Sequence, residues 1–200
     1  MEMSGEQLIP ASQRETWNAL NDPEILKACV PGCESIDRLA DNEYQVLMVA
    51  RVGPVSAKFK GKLTLSDIKP PDSYSIAFEG QGGAAGFAKG GAHVRLSPQD
   101  TQTRLAYDVK ASVGGKLAQI GSRLVDAAAK KIADEFFKNF NQKMSAHAAS
   151  PAQEGHEDPA HESDPLPRDP DLPRLSDGAV RLFAALALIV FAVALIGFLS

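Results

Sequence analysis

Residues 182–199, LFAALALIVFAVALIGFL, are eighteen consecutive positions without a charged, amide or hydroxyl side chain. A stretch of that kind has few fates. As a helix it is roughly 27 Å long at about 1.5 Å per residue, close to the ~30 Å hydrocarbon core of a bilayer. Twelve of the eighteen are Leu, Ile, Val or Phe. At roughly −0.3 to −0.6 kcal/mol each near a helix centre, these favour insertion by about 5 kcal/mol. A core helix keeps a polar face, and this stretch has none. A secretory signal would be N-terminal. A lipid-anchor signal also ends in an apolar tail, and Ser176-Asp177-Gly178 are small enough for its cleavage site. That route needs export, and the first fifteen residues, MEMSGEQLIPASQRE, carry neither a basic nor an apolar leader segment. The sequence therefore predicts a transmembrane anchor over 179–200. Arg174 and Arg181 precede the apolar run and no Lys or Arg follows it. The positive-inside rule then puts the N-terminal body on the cytoplasmic side of the cytoplasmic membrane.

Composition divides what remains. Residues 1–144 hold 18 Lys and Arg against 17 Asp and Glu, whereas 145–178 hold 2 against 8, together with six of the thirteen prolines. The second segment has too little apolar surface to offset chain entropy, so a disordered acidic tether is expected over 145–178. As a flexible chain it has a root-mean-square span of roughly 30 Å, more with its Pro content and self-repulsion. A neutral body and an acidic tether argue against nucleic acid as a partner, and against the body lying flat on anionic lipid. Cys29 and Cys33 are the two cysteines, and in a cytoplasmic body they imply no disulfide framework.

Within the body, residues 2–9 suit a first strand. Ser12-x-x-Glu15 is a capping-box pattern that opens a helix over about 13–20. Asp22-Pro23 opens a second, which stops at Pro31-Gly32. From there to Val113 the apolar residues recur with period two. In 55–65, Val55, Ala57, Phe59, Gly61, Leu63 and Leu65 alternate with polar residues, giving one dry face and one wet face. Turn signals at Asp41-Asn42, Gly53-Pro54, Pro70-Pro71-Asp72, Gly82-Gly83 and Pro98-Gln99-Asp100 divide the region into six antiparallel strands. Past Gly114-Gly115 the period becomes 3.6. Leu117, Ile120, Leu124, Ala128, Ile132, Phe136 and Phe140 mark one face of a helix of about thirty residues starting near Lys116. A one-sided sheet needs a cover, and this helix supplies it. The fold class is α+β.

That order resembles the helix-grip fold of the START-like (SRPBCC) superfamily. Four blocks go further: DPEILKACVPGCESI (22–36), VGPVSAKFKGKLTL (52–65), GQGGAAGFAKGGAHVRL (80–96) and VGGKLAQIGSRLV (113–125). They are similar to the G-subunit family of carbon monoxide dehydrogenase over residues 1–144, and the anchor matches its longer members. The resemblance implies an accessory protein, not a dehydrogenase, with no intrinsic cofactor. Its implied partner is a molybdenum-containing carbon monoxide dehydrogenase or related hydroxylase, recruited to the bilayer. A bound lipid quinone, menaquinone or ubiquinone, is the implied link to the respiratory chain.

The chemical motifs are sparse. Cys29-x-x-x-Cys33 has neither four zinc ligands nor redox C-x-x-C spacing, and reads as helix-end thiols. Gly80-x-Gly82-x-x-Ala85 leads into a strand, whereas a dinucleotide fingerprint opens a helix; its glycines suit a bend, a close approach or a mobile hairpin. His93 falls on the polar side of a strand, and the other three histidines lie at or beyond residue 147, so no metal site is expected. Lys58, Lys60 and Lys62 form a basic row, read as a solvated face or a dock for an acidic partner. The dry faces offer Tyr74 and Tyr107 as polar handles but no acid–base pair. Strand parity and helix face assign Trp17, Phe59, Phe78, Phe87, Val94, Tyr107, Val109, Ile120 and Leu124 to an apolar ligand cavity. The competing readings are a START-like enzyme acting on a hydrophobic small molecule, and a structural adaptor whose cavity is closed by side chains.

Overall fold

The computed structural model describes residues 2–149. The rest of the expected tether and the expected anchor, with its apolar run, lie outside the described residues. Among the described residues no helix is long and apolar enough to cross a membrane.

The chain opens with β1 (Glu2–Ile9), followed by α1 (Gln13–Ala19) and α2 (Pro23–Cys29). Both helices begin where their caps require. The Ser12 hydroxyl accepts from the Glu15 backbone N–H at 3.4 Å, and the Glu15 carboxylate accepts from the Ser12 N–H at 2.9 Å. Asp22 accepts from the N–H groups of Glu24 and Ile25 at 2.8 and 3.3 Å, with Pro23 in the first turn, where no N–H is needed. Six strands follow: β2 (Cys33–Ala40), β3 (Glu43–Val52), β4 (Val55–Lys69), β5 (Ser73–Gln81), β6 (Phe87–Gln99) and β7 (Gln102–Gly114).

The sheet is antiparallel in the order β1-β7-β6-β5-β4-β3-β2. Every neighbour from β2 to β7 is a sequence neighbour. Only β1 arrives from far away, laid along β7 with Gly5 opposite Tyr107. Arg104 fixes that pairing with a two-pronged contact to Glu6 at 3.0 and 2.6 Å. The Thr103 hydroxyl donates to the Ala11 carbonyl at 2.8 Å and seals the turn into α1. Alternate residues on each strand, such as Val46 and Met48, Leu63 and Leu65, or Leu105 and Val109, face one buried layer.

The cover of that layer departs from the expected single helix. A short α3 (Lys116–Gln119) ends, Gly121 takes φ +94°, and α4 (Ser122–Ala149) starts afresh with its Val125 N–H donating to the Gly121 carbonyl at 3.4 Å. That φ is open to glycine but disfavoured for residues with a Cβ. The break resets the helical phase. Val125, Ala129, Ala133, Phe136, Phe137, Phe140 and Met144 are buried, while Leu124 is 52% exposed. Ile120, Ala128 and Ile132 are half-buried. Leu124 is therefore not part of the interior. The helix also runs to Ala149, past the boundary expected at residue 144.

Phe87 is the second correction. The inward residues of β6 are Ala88, Ala92, Val94 and Leu96. Phe87 lies seven residues before Val94, an odd separation, so both cannot face inward on one unbroken strand. Phe87 points outward, 44% exposed, with its ring over Gly114, its partner on β7.

The loop between β5 and β6 separates two uses of glycine. A Cβ on Gly82 would overlap the Phe59 ring, which is fully buried, whereas Gly83 has φ +57° with nothing within 4 Å of a Cβ. Asparagine tolerates that left-handed backbone. Gly83→Asn is therefore expected to change stability by less than about 0.5 kcal/mol, and Gly82→Asn to cost about 1–3 kcal/mol through overpacking. Urea denaturation measures both, and equal effects would contradict this account of the loop.

Candidate ligand-binding interior

The layer between the sheet and α1, α2 and α4 is apolar and rich in aromatic rings. Of the nine residues assigned to a cavity, Trp17, Phe59, Phe78, Val94, Tyr107 and Val109 are buried here. Ile120 sits half-buried near its rim. Phe87 and Leu124 lie outside it, for the reasons of strand parity and helical phase given above.

The six do not converge on one point. Trp17, on α1, meets Tyr74 edge-on with ring centroids 5.5 Å apart. Tyr107 stacks on Phe137 of α4 at 5.7 Å, and Phe137 meets Phe136 edge-on at 5.2 Å. The Tyr107 hydroxyl lies over Gly5, where any Cβ would collide with it. Burial, and secondarily the Asp134 charge, push the Tyr107 phenol above its ordinary value. Phe59 lies under Gly82, and Phe78 against Gly90.

α4 divides this interior along its length. Its first turns offer Val125, Ala129 and Ala133, and its later turns offer Phe136, Phe137 and Phe140, with Phe136 and Phe140 stacked at 5.5 Å. Sequence periodicity finds Phe136 and Phe140 but misses Phe137, Val125 and Ala129. Only the glycine that breaks the helix carries a signal for the shifted phase. Between β3 and α4 a cleft of about 370 Å³ is lined by Pro31, Gly32, Val49, Ala128 and Ile132, among others. A groove of about 910 Å³ separates α1 and α2 from the end of α4, lined by Ala19, Ile25, Ala28 and Met144 with polar neighbours.

The chemistry available inside is limited. The buried polar residues are Thr16, Asn21 and Thr103, and none of the described charged residues is buried. Asn21 donates to the Trp17 carbonyl. No group of three or more His, Cys, Asp or Glu that could hold a metal occurs among the described residues. His93 lies on the outer face, hydrogen-bonded to Ser75 at 3.2 Å. Gly82 leads into a single 3₁₀ turn, Gly83–Ala85, and then β6, not a helix that could seat a pyrophosphate. In the lysine row, Lys58 pairs with Glu34 at 2.7 Å and Lys62 with Glu43 at 2.9 Å.

Comparison with known proteins agrees with the geometry. Residues 5–145 match the family model of the carbon monoxide dehydrogenase G-subunit (CoxG). No curated protein matches. Among solved structures, a conserved protein from Geobacillus kaustophilus is 31% identical, with a TM-score of 0.69 over 73% of this chain and 96% of its own. A protein from Thermus thermophilus is similar at 18% identity and TM-score 0.57, over 75% of this chain and all of its own. A START superfamily protein from Mycobacterium smegmatis is 15% identical at TM-score 0.57, over 73% of this chain and 98% of its own. At these last two identities the likeness is of fold: this is a START-like sheet closed by a C-terminal helix.

The cysteines belong to the scaffold. Cys29 ends α2, buried, and Cys33 begins β2, half-buried; both are free. Burial pushes the Cys33 thiol up to about 11, against a smaller opposing pull from Lys27. Reactivity follows the thiolate. With iodoacetamide near pH 8, Cys33 is expected to alkylate at least about tenfold more slowly in the folded protein than in urea. Equal rates would mean that it is an accessible, reactive thiol.

Proposed function

Because the chain belongs to the CoxG family of carbon monoxide dehydrogenase G-subunits, we propose that it is a membrane-tethered accessory protein. In this reading it recruits a molybdenum hydroxylase of the carbon monoxide dehydrogenase type to the cytoplasmic membrane. It also holds a lipid quinone in its apolar interior, which couples the enzyme to the respiratory chain. Family and fold together indicate an accessory or ligand-binding role. The observation that carries the fuller reading is the family match across the entire sheet-and-helix body, residues 5–145.

Three features support it. The interior presents aromatic rings and aliphatic side chains without a buried charge among the described residues, which suits an apolar ligand better than acid–base chemistry. The stretch of α4 with Val125, Ala129 and Ala133 is the part of the cover with the least side-chain volume, the place where a flat ring system asks for the least rearrangement. The apolar run at 182–199 has enough residues to cross a bilayer core as a helix. An anchored body raises the encounter frequency of a bound enzyme with membrane quinone without any new contact.

The two parts have separate tests. Deletion of residues 179–200 is expected to move both the protein and its partner hydroxylase from the membrane fraction to the soluble fraction. A hydroxylase that stays equally membrane-associated would refute recruitment. For the ligand, organic extraction of the purified full chain followed by mass spectrometry is expected to yield menaquinone or ubiquinone at near-equimolar ratio. No extracted quinone and no saturable binding on titration would remove the quinone and leave recruitment standing.

A further inference from the structure

A near-zero net charge over the body conceals a segregation that the fold creates. In an antiparallel sheet successive turns alternate between its two ends. The turns β2–β3, β4–β5 and β6–β7 share one end and carry Asp41, which is paired with Arg38 at 2.9 Å, Asp72 and Asp100. α1 starts there too, since Gln13 donates to Asp72 at 2.9 Å and to the Leu96 carbonyl at 3.0 Å. The opposite end gathers the β3–β4 turn, the β5–β6 loop, and α3 with the first turn of α4. Their proximity is direct: Gly53 lies under Ile120 and Leu124, and Gly86 lies against Gly114 and Gly115.

This second end is basic and greasy. Arg51, Lys60, Lys89, Lys116 and Arg123 are exposed there, and none is in an ion pair among the described residues. Register confirms the placement of the strand residues. Lys60 pairs with Gln81, the last residue of β5, and Lys89 stands two positions into β6. Carboxylates also lie near them: Glu79 is the cross-strand partner of Lys89, Glu2 lines the same surface hollow as Lys89, and Glu135 lines the same cleft as Arg51. Two large apolar side chains are exposed at this end, Phe87 at 44% beside Gly114 on the outer face of the sheet and Leu124 at 52% on α4 beside Gly53. These are the two residues whose outward direction departs from the expected cavity lining. Their exposure keeps both out of the core layer, and on β6 the parity of Phe87 against buried Ala88 does the same.

We infer that this end of the body is a docking face for an anionic bilayer surface, with Phe87 and Leu124 as the inserting tips and the five cations of the same end facing lipid headgroups. Exposed apolar tips and unpaired Lys and Arg at one end match both layers of such a surface, acyl chains below and negative headgroups above. The chain's geometry permits the contact. α4 delivers the chain to the far, acidic end, where Asn141 donates to the Leu8 carbonyl at 3.4 Å. α4 has 28 residues, which makes it roughly 42 Å long. The thirty-two residues between Ala149 and Leu182 have a contour of roughly 105 Å. The anchor therefore does not prevent the body from turning its basic end to the membrane. The inference rests on the proposed anchor only for bringing the bilayer near.

The test uses the full chain reconstituted in vesicles, with Phe87→Trp as the probe and the parent chain, whose sole Trp17 is buried, as the control. Brominated acyl chains are expected to quench the introduced indole strongly in vesicles containing about one-third phosphatidylglycerol, and weakly in phosphatidylcholine alone. Lys60→Gln and Lys89→Gln are each expected to lower the docked-to-undocked ratio by about fivefold, and molar salt to do the same without releasing the anchored chain. Leu124→Trp provides an independent probe should Phe87→Trp perturb the sheet. Quenching no greater than in the parent on anionic vesicles, with either probe, overturns the inference, as does equal quenching on both lipid compositions. Failure of the anchor reads out separately, as full chain that does not float with neutral vesicles.

Discussion

One face of a seven-stranded sheet must be kept from water, and everything else in this body follows from how that is done. Burying a large apolar side chain is worth roughly 1.5–3 kcal/mol, and the sheet alone can bury none of its inward set. α4 covers it with Phe136, Phe137 and Phe140, and α1 adds Trp17 over Tyr74. The pairing of β1 with β7 matters for the same reason. It extends the sheet beneath Tyr107 and Phe137, and it succeeds only because Gly5 leaves room for the Tyr107 hydroxyl. A side chain at position 5 would force the phenol off Phe137 and open the cover along that seam.

Most of this architecture is legible without coordinates. Alternation in 55–65, turn residues at each hairpin and two helix caps locate the seven strands and the first two helices, because those signals are local and each states its own geometry. What local signals miss is phase. Extending one helix face from Leu117 through Phe140 assumes that no break intervenes and treats Gly121 as one small residue in a helix. Its φ of +94° ends one helix and rotates the next, so Leu124 leaves the interior and Val125 enters. Phe87 is misplaced for a related reason. It is assigned inward together with Val94, yet the two stand seven positions apart on what is one continuous strand, β6, and that continuity turns Phe87 outward. In both cases a long-range fact, the register of a helix or strand against its neighbours, overrides a local preference.

The same dependence on topology governs charge. Composition describes a balanced body, 18 cations to 17 anions over residues 1–144, and balance alone disfavours a bilayer-facing role. Balance says nothing about arrangement. The antiparallel order sends alternate turns to opposite ends, so Asp41, Asp72 and Asp100 are collected at one and Arg51, Lys60 and Lys89 toward the other. Asp41 is itself paired with Arg38, and the pairs of Arg104 with Glu6, Arg95 with Asp108 and Lys62 with Glu43 neutralise strand residues. The result is a body with a charge axis roughly along its strands, invisible in any sum over residues.

That axis bears on how a tethered body would behave. The chain leaves α4 at the acidic end, and the segment that follows carries 8 Asp and Glu against 2 Arg over 145–178. Near an anionic leaflet both are repelled, and the repulsion decays over about a Debye length, roughly 8 Å at physiological ionic strength. A body on a short leash would be held with its repelled end against the membrane. A leash longer than the body removes that conflict, because the acidic end can stand off while the basic end approaches. Length in such a segment therefore has an electrostatic purpose beyond reach. The two are separable in principle, since shortening the segment toward the length of α4 would preserve attachment and still deny the body its favoured orientation.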